Sequence, residues 1–219
     1  MKLFIYCVGG FGKEIMDLAR RKNAVENIWD EICFIDDFVK GDKFYGSRLF
    51  TFSEVLEKFD RSSLEMLIAN AEPSTRKVLF DKIKDAHLKM ATLIDSTATV
   101  SLTAKIGESV IVSEYCYISS LVVLHDNVAL NNNTLVGHDT VIAENSVLSS
   151  AVNVGGNCLI GKNTYIGMGT QIKQGTSIGK DVIIGMGSAV HNSIQDGVIA
   201  IGNPARPMRR NLDNRVFNK

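Results

Sequence analysis

The sequence predicts a small Rossmann-like α/β domain followed by a parallel β-helix. Two observations predict this fold class. Every sixth residue from Ile94 to Val190 is Ile, Leu or Val without a break, and a sustained hexapeptide period marks a parallel β-helix. Before that stretch, strand-like apolar segments alternate with segments of helical spacing, which is typical of a parallel α/β sheet. With 219 residues, the chain is expected to form two domains, over residues 1–92 and 93–219.

The first domain begins with an apolar run over residues 3–8, which we interpret as a buried strand. A glycine-rich turn, Gly9-Gly10-Phe11-Gly12, follows at once and leads into a helix. The later predicted elements are, in order, a strand over 31–35, a helix over 53–59, a strand over 64–70, a helix that begins at Pro73 and a strand over 90–94. No linker rich in Pro, Gly or Ser precedes the repeat, so the two domains are expected to pack rigidly.

In the repeat, each large aliphatic side chain points into a three-sided prism, and three hexapeptides complete one coil. The residue four positions later is small or β-branched, as in Thr134, Thr140 and Cys158, and fits beside a corner. Gly or Asn near a corner tolerates the positive φ of a tight turn. Residues eighteen apart should therefore stack directly above one another, with about 4.8 Å between coils.

Composition excludes several classes of function. The formal net charge is zero, whereas a nucleic-acid surface needs a basic excess. No stretch approaches the roughly 20 apolar residues of a membrane span, and the start of the chain does not have the pattern of a signal peptide. The cysteines are widely spaced and form no Cys-x-x-Cys pair, so we interpret them as reduced thiols of a cytoplasmic protein.

The glycine-rich turn at residues 9–12 is the first candidate site, because it joins a strand to a helix. Backbone amides and the helix N-terminus at such a junction can hold a phosphate. Asp36 and Asp37 end the next strand, where an acid can meet a ribose or a base edge. A glycine-rich turn alone is a weak signal, so a merely tight turn between strand and helix is the alternative.

His138 is the candidate catalytic base. It lies in a corner of the repeat, with Asp139 directly beside it. Adding eighteen places Gly156 directly over His138. A general base, a carboxylate that raises its basicity and a backbone amide that can stabilise an oxyanion would then lie within one coil spacing. The alternative is an exposed histidine in an ordinary surface turn.

The other histidines, His87, His125 and His191, are interpreted as surface residues. His138 and His191 share a corner column, but they are nearly three coils apart, roughly 14 Å at 4.8 Å per coil. That distance is too long for joint ligation of a metal. We therefore predict no metal, with ligands shared between subunits as the alternative.

These features together resemble the PglD/NeuD-type bacterial nucleotide-sugar acetyltransferases of the hexapeptide-repeat superfamily. The features are the initial strand, turn and helix, Asp36-Asp37, the unbroken repeat, the His138-Asp139 pair and Gly202-Asn203-Pro204-Ala205 near the end. The resemblance covers nearly the whole chain. It implies that the β-helix is left-handed and that a homotrimer carries its active sites between neighbouring β-helices. It also implies an N-terminal domain that holds a UDP-, dTDP- or GDP-linked amino sugar.

The resemblance also implies roles for individual residues. His138 is the general base, Asp139 increases its basicity, and the Gly156 amide meets the thioester carbonyl. Acetyl-CoA is the implied co-substrate, with contacts at Val147, Gly156, Met168 and Met186. The implied contacts of the nucleotide sugar are Gly9, Gly10, Phe11, Gly12, Asp36, Asp37 and Asn70.

The chain also departs from the family pattern. Cys7 stands where Gly is usual, Phe11 where His is frequent and Asp95 where His is common. Val147 cannot supply the side-chain hydrogen bond that some relatives make near the thioester. These departures leave the identity of the nucleotide open, but they preserve the His-acid pair.

The predicted function is transfer of an acetyl group from acetyl-CoA to the amino group of a nucleotide-linked amino sugar, in surface glycan biosynthesis. The amine attacks directly, without a covalent acyl-enzyme. One alternative is a sugar O-acetyltransferase of the sialic-acid type, since a hydroxyl also needs a base. Another is a non-catalytic β-solenoid whose first domain senses a nucleotide.

Overall fold

A computed structural model describes residues 1–217; Asn218 and Lys219, the end of the predicted second domain, lie outside the described part. The N-terminal sheet and its helices come first in the chain. Their bounds are β1 (Lys2–Tyr6), α1 (Gly10–Glu26), β2 (Glu31–Ile35), β3 (Lys43–Phe44), β4 (Ser47–Phe50), α2 (Phe52–Lys58), a 3-10 turn (Arg61–Ser63), β5 (Leu64–Ile68), α3 (Pro73–Asp85) and β6 (Lys89–Met90).

The N-terminal sheet has the strand order β3-β4-β2-β1-β5-β6. β1 lies between β2 and β5 and pairs in parallel with both, so the carboxyl ends of these three strands meet at one edge. The predicted α/β fold is confirmed. The antiparallel hairpin of β3 and β4 was not expected from the sequence, because its strands are short and lack alternating apolar residues.

The repeat forms the three faces of a left-handed β-helix, as predicted. Face 1 consists of β7 (Leu93–Ile94), β10 (Ile111–Val112), β13 (Ala129–Leu130), β16 (Val147–Leu148), β19 (Tyr165–Ile166) and β22 (Ile183–Ile184), extended by β24 (Val198–Ile201) and β25 (Arg206–Arg210). Face 2 consists of β8 (Thr99–Val100), β11 (Tyr117–Ile118), β14 (Leu135–Val136), β17 (Asn153–Val154), β20 (Gln171–Ile172) and β23 (Ala189–Val190). Face 3 consists of β9 (Lys105–Ile106), β12 (Val123–Leu124), β15 (Val141–Ile142), β18 (Leu159–Ile160) and β21 (Ser177–Ile178).

The predicted stacking of residues eighteen apart is confirmed. Val112 pairs with Leu130 on face 1, and Val136 pairs with Val154 on face 2. The anchor side chains form one continuous buried core inside the prism. Asparagines at the corners have φ near 60°, the left-handed conformation expected of a tight turn.

The junction between the two domains differs from the predicted single strand over residues 90–94. β6 ends at Met90 in the N-terminal sheet, and β7 begins at Leu93 on face 1. The break arises because the Ala91 N–H donates to Met66 of the sheet, while the Thr92 hydroxyl donates to Gly107 of the β-helix. The chain therefore leaves one sheet and enters the other within two residues.

The N-terminal domain packs against face 1 of the β-helix. Ile15 and Leu18 of α1 share one buried apolar cluster with Ile111, Ala129 and Val147, whose side chains point outward from face 1. Helix α1 is therefore held between its own sheet and the β-helix. This contact determines where each candidate site lies relative to the prism.

Candidate active site

The candidate catalytic corner lies where the chain passes from face 2 to face 3, just after β14. His138 Nδ1 and Asp139 Oδ2 are 2.8 Å apart. Asp139 has φ of 58°, and its N–H donates to Ser120 O at 3.0 Å. The side chains of His138 and Asp139 are 52% and 44% exposed, so a substrate can reach them. A proton on Nδ1, donated to Asp139, leaves Nε2 with a lone pair.

Gly156 lies against the imidazole ring of His138, one coil further along. A Cβ built on Gly156 would be 2.5 Å from His138 Nε2, so only glycine fits there without moving the ring. The Gly156 N–H has no hydrogen-bond partner within residues 1–217. The corresponding amides of His138 and Gln174 are also unbonded there, so a free N–H at this corner position belongs to the repeat. What distinguishes Gly156 is the imidazole beside it.

Replacing Gly156 with Ala is expected to lower kcat by about 10²-fold, because the added methyl displaces the imidazole from the free amide. The fold should persist, since the atoms in the way belong to a side chain that can swing into solvent. Steady-state kinetics and thermal unfolding would measure both effects. Ser120→Ala, one coil away in the same corner column, is the matched control and should leave kcat unchanged. Wild-type kcat in Gly156→Ala would contradict the arrangement.

The second candidate site lies at the edge where β1, β2 and β5 end. Gly9 caps α1 without a side-chain hydrogen bond. The N–H groups of Gly10, Phe11 and Gly12 have no acceptor within the helix, because they belong to its first turn. A Cβ built on Gly9 or Gly10 would meet nothing within 4 Å. The turn therefore presents free N–H donors to open space, as an anion site requires.

Asp36 organises this edge from the end of β2. Its Oδ1 accepts hydrogen bonds from the Phe38 and Val39 N–H groups at 2.9 and 3.1 Å. Its Oδ2 accepts a longer one from the Val8 N–H at 3.3 Å, just before the glycine-rich turn. Asp36 therefore connects the loop that follows β2 to the segment just before the glycine-rich turn.

Asp37 is held by protein groups on both oxygens. Oδ1 accepts from the Phe52 N–H at 2.8 Å, and Oδ2 accepts from Lys82 Nζ at 2.8 Å and from the Tyr6 hydroxyl. Burial alone would raise the pKa of Asp37, but the bonds from Lys82, Tyr6 and the Phe52 amide together lower it. A contact with a nucleotide sugar would have to share these acceptor sites.

Asn70 completes the edge at the end of β5. Its side-chain Oδ1 accepts the Glu72 N–H at 2.9 Å, and its Nδ2 lies 3.4 Å from Cys7 Sγ. Cys7 has φ of 85°, a conformation that favours the glycine usual at this position. Burial raises the pKa of the Cys7 thiol to about 11, so this side chain stays neutral at physiological pH.

A cleft of about 990 Å³ lies between α1 and the corner that joins face 1 to face 2. Met168, a predicted acetyl-CoA contact, lines this cleft. Met186 is highly exposed one coil further along the same corner column. Val147, in contrast, is fully buried in the cluster beneath the N-terminal domain. The structure thus brings Met168 and Met186 to one surface and Val147 to another.

The cleft has an acidic character. Arg21 pairs with Glu114 and lies 3.4 Å from Asp95. Glu14, which also lines the cleft, forms no ion pair within residues 1–217. Burial, and then the nearby charge of Glu114, raise the pKa of Glu14. This carboxyl group is therefore available to pair with a cationic ligand.

Two features near these sites are missing from the sequence analysis. Asn131 lines the cleft, and its Oδ1 is a buried acceptor without a partner in the described part. The C-terminal segment returns to the N-terminal domain, where the Val216 and Phe217 N–H groups donate to the Glu72 carboxylate at 2.9–3.2 Å. Asparagine is common at corners of this repeat, so the sequence does not distinguish Asn131 from the others. The last residues lack periodicity, so the sequence does not predict their contact with Glu72.

The two candidate sites do not meet within one chain. The glycine-rich turn belongs to the domain on face 1, whereas His138 lies at the corner between faces 2 and 3, on the opposite side of the prism. His138, Asp139 and Gly156 come together as the stacking predicts, and so do the residues of the strand edge. The two sets remain separate.

Within residues 1–217, no group of three or more His, Cys, Asp or Glu side chains is arranged to hold a metal ion. Among the helices in that part of the chain, none has the length and apolar character needed to cross a membrane.

Each part of the chain is similar to a known protein family. Residues 2–83 match the PglD N-terminal domain, and residues 157–192 match the bacterial transferase hexapeptide (six repeats). No curated protein matches the sequence significantly. The first match lies within the N-terminal domain and the second within the β-helix.

Solved structures extend the similarity over both domains. The acetyltransferase domain of PglB from Neisseria gonorrhoeae FA1090 is 29% identical, with a TM-score of 0.87 over 94% of this chain and 99% of that one. WeeI from Acinetobacter baumannii AYE is 26% identical, with a TM-score of 0.89 over 95% and 100%. PerB from Caulobacter crescentus, solved with CoA and GDP-perosamine, shares the fold at 23% identity, with a TM-score of 0.86 over 95% and 97%. The predicted resemblance to PglD-type proteins of the hexapeptide superfamily is confirmed.

Proposed function

We propose that this protein transfers an acetyl group from acetyl-CoA to the amino group of a nucleotide-linked amino sugar. The observation that carries the proposal is the catalytic corner, where His138 is paired with Asp139 and lies against the free Gly156 amide. Acetyl-CoA is the donor held by the PglB acetyltransferase domain in one of its structures. CoA and a nucleotide-linked amino sugar are held together by PerB.

The corner supports direct transfer. His138 Nε2 accepts a proton from the acceptor amine as its nitrogen attacks the thioester carbonyl carbon. The carbonyl oxygen becomes an oxyanion and accepts a hydrogen bond from the Gly156 N–H. When the intermediate collapses, the C–S bond breaks, the amide product forms, and the CoA thiolate takes the proton from the imidazolium. Asp139 holds the ring orientation and stabilises its charged form. This scheme requires no acyl-enzyme.

The acceptor would be held by the strand edge of the N-terminal domain. The free amides of the turn at residues 9–12 suit a diphosphate, and Asp36 suits the nucleoside. The sugar amine would then lie toward the acidic cleft, where, within residues 1–217, Glu14 forms no ion pair and Asn131 Oδ1 accepts no hydrogen bond. An ammonium group on the arriving sugar would pair with the Glu14 carboxylate and release one proton to solvent before its nitrogen attacks, whereas a hydroxyl carries no charge to pair with that carboxylate. This difference favours N-acetylation over O-acetylation.

A trimer would unite the two half-sites. Val147 belongs to the apolar cluster against which Phe11 of the glycine-rich turn packs. It lies half a coil from both His138 and Gly156, at nearly the same height along the prism axis. Threefold rotation about an axis parallel to the prism preserves this height. It would bring His138 of one chain to the strand edge of the next. Tyr117 and Leu135, which are exposed on face 2, supply apolar surface for such packing.

The decisive assay measures CoA release from acetyl-CoA over a panel of UDP-, dTDP- and GDP-linked sugars. The panel should pair each amino sugar with its hydroxyl analogue. We expect CoA release with an amino sugar and no release with its hydroxyl analogue. Release with hydroxyl sugars alone would establish O-acetylation, and binding without any release would establish a non-catalytic sensor.

Replacing Gly10 with Asp is expected to raise KM for the nucleotide sugar by more than about tenfold, because the new carboxylate repels a diphosphate at the helix N-terminus. KM for acetyl-CoA should stay within twofold. Gly10→Ala is the matched control, since its methyl group meets no atom within 4 Å. An equal rise in both KM values for Gly10→Asp would argue that the turn is structural.

A further inference from the structure

The buried Arg76 side chain is the strongest feature that the proposed chemistry does not use. It lies in the first turns of α3 and is 0% exposed. No carboxylate within residues 1–217 pairs with it; its partners are all carbonyl and amide oxygens. A buried charge without a counter-ion is costly. Burial lowers the pKa of Arg76 to about 9, so the guanidinium still carries its charge at neutral pH.

The partners of Arg76 come from both domains. On one side, Nη1 donates to Ile68 O at 2.7 Å and to Asn70 O at 3.1 Å, at the end of β5. On the other side, Nε donates to Asn127 O at 2.9 Å and Nη2 to Asn127 Oδ1 at 2.8 Å, at the corner between faces 3 and 1. The Arg76 guanidinium therefore connects the strand edge of the N-terminal domain, where the acceptor sugar is proposed to bind, to a coil of the β-helix.

A ladder of asparagines orients the β-helix side of this contact. Asn127 Nδ2 donates to Asn145 Oδ1 at 2.9 Å, Asn145 Nδ2 to Asn163 Oδ1 at 3.0 Å, and Asn163 Nδ2 to Asp181 Oδ1 at 3.0 Å. Arg76 can only donate, and an ionised Asp181 can only accept. These two ends allow each amide one orientation, which keeps Asn127 Oδ1 turned toward the guanidinium.

We propose that Arg76 is a positioning residue for acceptor binding, which holds the Ile68–Asn70 main chain at a fixed height relative to the catalytic coil. This inference rests on the proposed function, because it assumes that the β5 edge binds the nucleotide sugar. A lysine has one compact ammonium group and cannot span both sets of oxygens. A shift of the edge by about 1 Å is enough to weaken a positioned contact strongly.

Arg76→Lys is expected to raise KM for the nucleotide sugar by about tenfold, with KM for acetyl-CoA within twofold of wild type. Arg61→Lys is the matched control, since Arg61 is exposed and its side chain donates, within residues 1–217, to Ala86 O alone. Asn127→Ser is the second variant in case Arg76→Lys does not fold. This substitution removes the Oδ1 acceptor. Serine is compatible with the backbone there, because Ser109, one coil earlier in the same corner column, has φ of 56°.

Hydrogen exchange separates this proposal from the proposed function. In both variants, amides over residues 68–72 should exchange at least about tenfold faster, while those around Gly156 keep their rates. Faster exchange throughout the chain, or unchanged exchange at 68–72, would overturn the positioning role. If none of the nucleotide sugars in the panel causes the wild-type protein to release CoA, the proposed function fails. The exchange pattern still decides the role of Arg76.

Discussion

Replacing His138 with Ala is expected to reduce kcat by roughly 10²- to 10⁴-fold, the range for loss of a positioned general base. The reduction follows because the acceptor amine would lose the imidazole that lies against Gly156. The melting temperature should change by no more than about 3 °C, since half of this corner side chain is in solvent. Steady-state rates of CoA release, with thermal unfolding alongside, would test both statements.

His125→Ala is the matched control for His138→Ala. His125 also occupies a corner of the repeat and is exposed, but it lies between faces 3 and 1. Its replacement should leave kcat unchanged. Asp139→Asn should reduce kcat less than His138→Ala, because an amide can still accept the Nδ1–H bond although it carries no charge. Retention of more than about a third of wild-type kcat by His138→Ala would exclude this histidine as the base.

The corner at His138 could be predicted from the sequence because the repeat converts residue numbers into positions. Once three hexapeptides form one coil, Gly156 must lie over His138, and the structure has it there. The strand edge could be predicted for a similar reason, since parallel strands bring their carboxyl ends together. In both cases, local periodicity determines which residues are neighbours.

Residues whose roles depend on domain docking could not be predicted in this way. Val147 occupies a regular outward position on face 1, and only the packing of α1 buries it. Arg76 has the sequence context of an exposed helical residue, yet docking makes it fully buried. Asp37 is held by Lys82 and Tyr6, whose sequence separation gives no hint of contact. The burial of Val147 and Arg76 depends on how the two domains fit together, whereas the Asp37 contacts depend on where α3 lies within the N-terminal domain.

A mixture of two impaired variants is expected to recover activity if each site takes its halves from different chains. His138→Ala lacks the catalytic corner, and Gly10→Asp lacks the acceptor edge, while each variant keeps the other half intact. In assemblies formed from equal amounts of the two variants, half of the chains have an intact His138 and the other half have an intact glycine-rich turn. About a quarter of the sites then combine an intact corner with an intact edge, which sets the expected activity relative to wild type.

The two variants are co-expressed with different affinity tags, so that mixed assemblies can be purified. Activity is then measured at nucleotide-sugar concentrations that do not saturate Gly10→Asp. Light scattering should give about three chain masses for the purified assembly. The control is one chain carrying both substitutions, co-expressed with Gly10→Asp, in which every edge is defective and recovery should be absent. A site contained within one chain predicts no recovery in the first mixture either. Recovery there would instead explain why the glycine-rich turn and His138 lie on opposite sides of the same prism, since each would face its partner on a neighbouring chain.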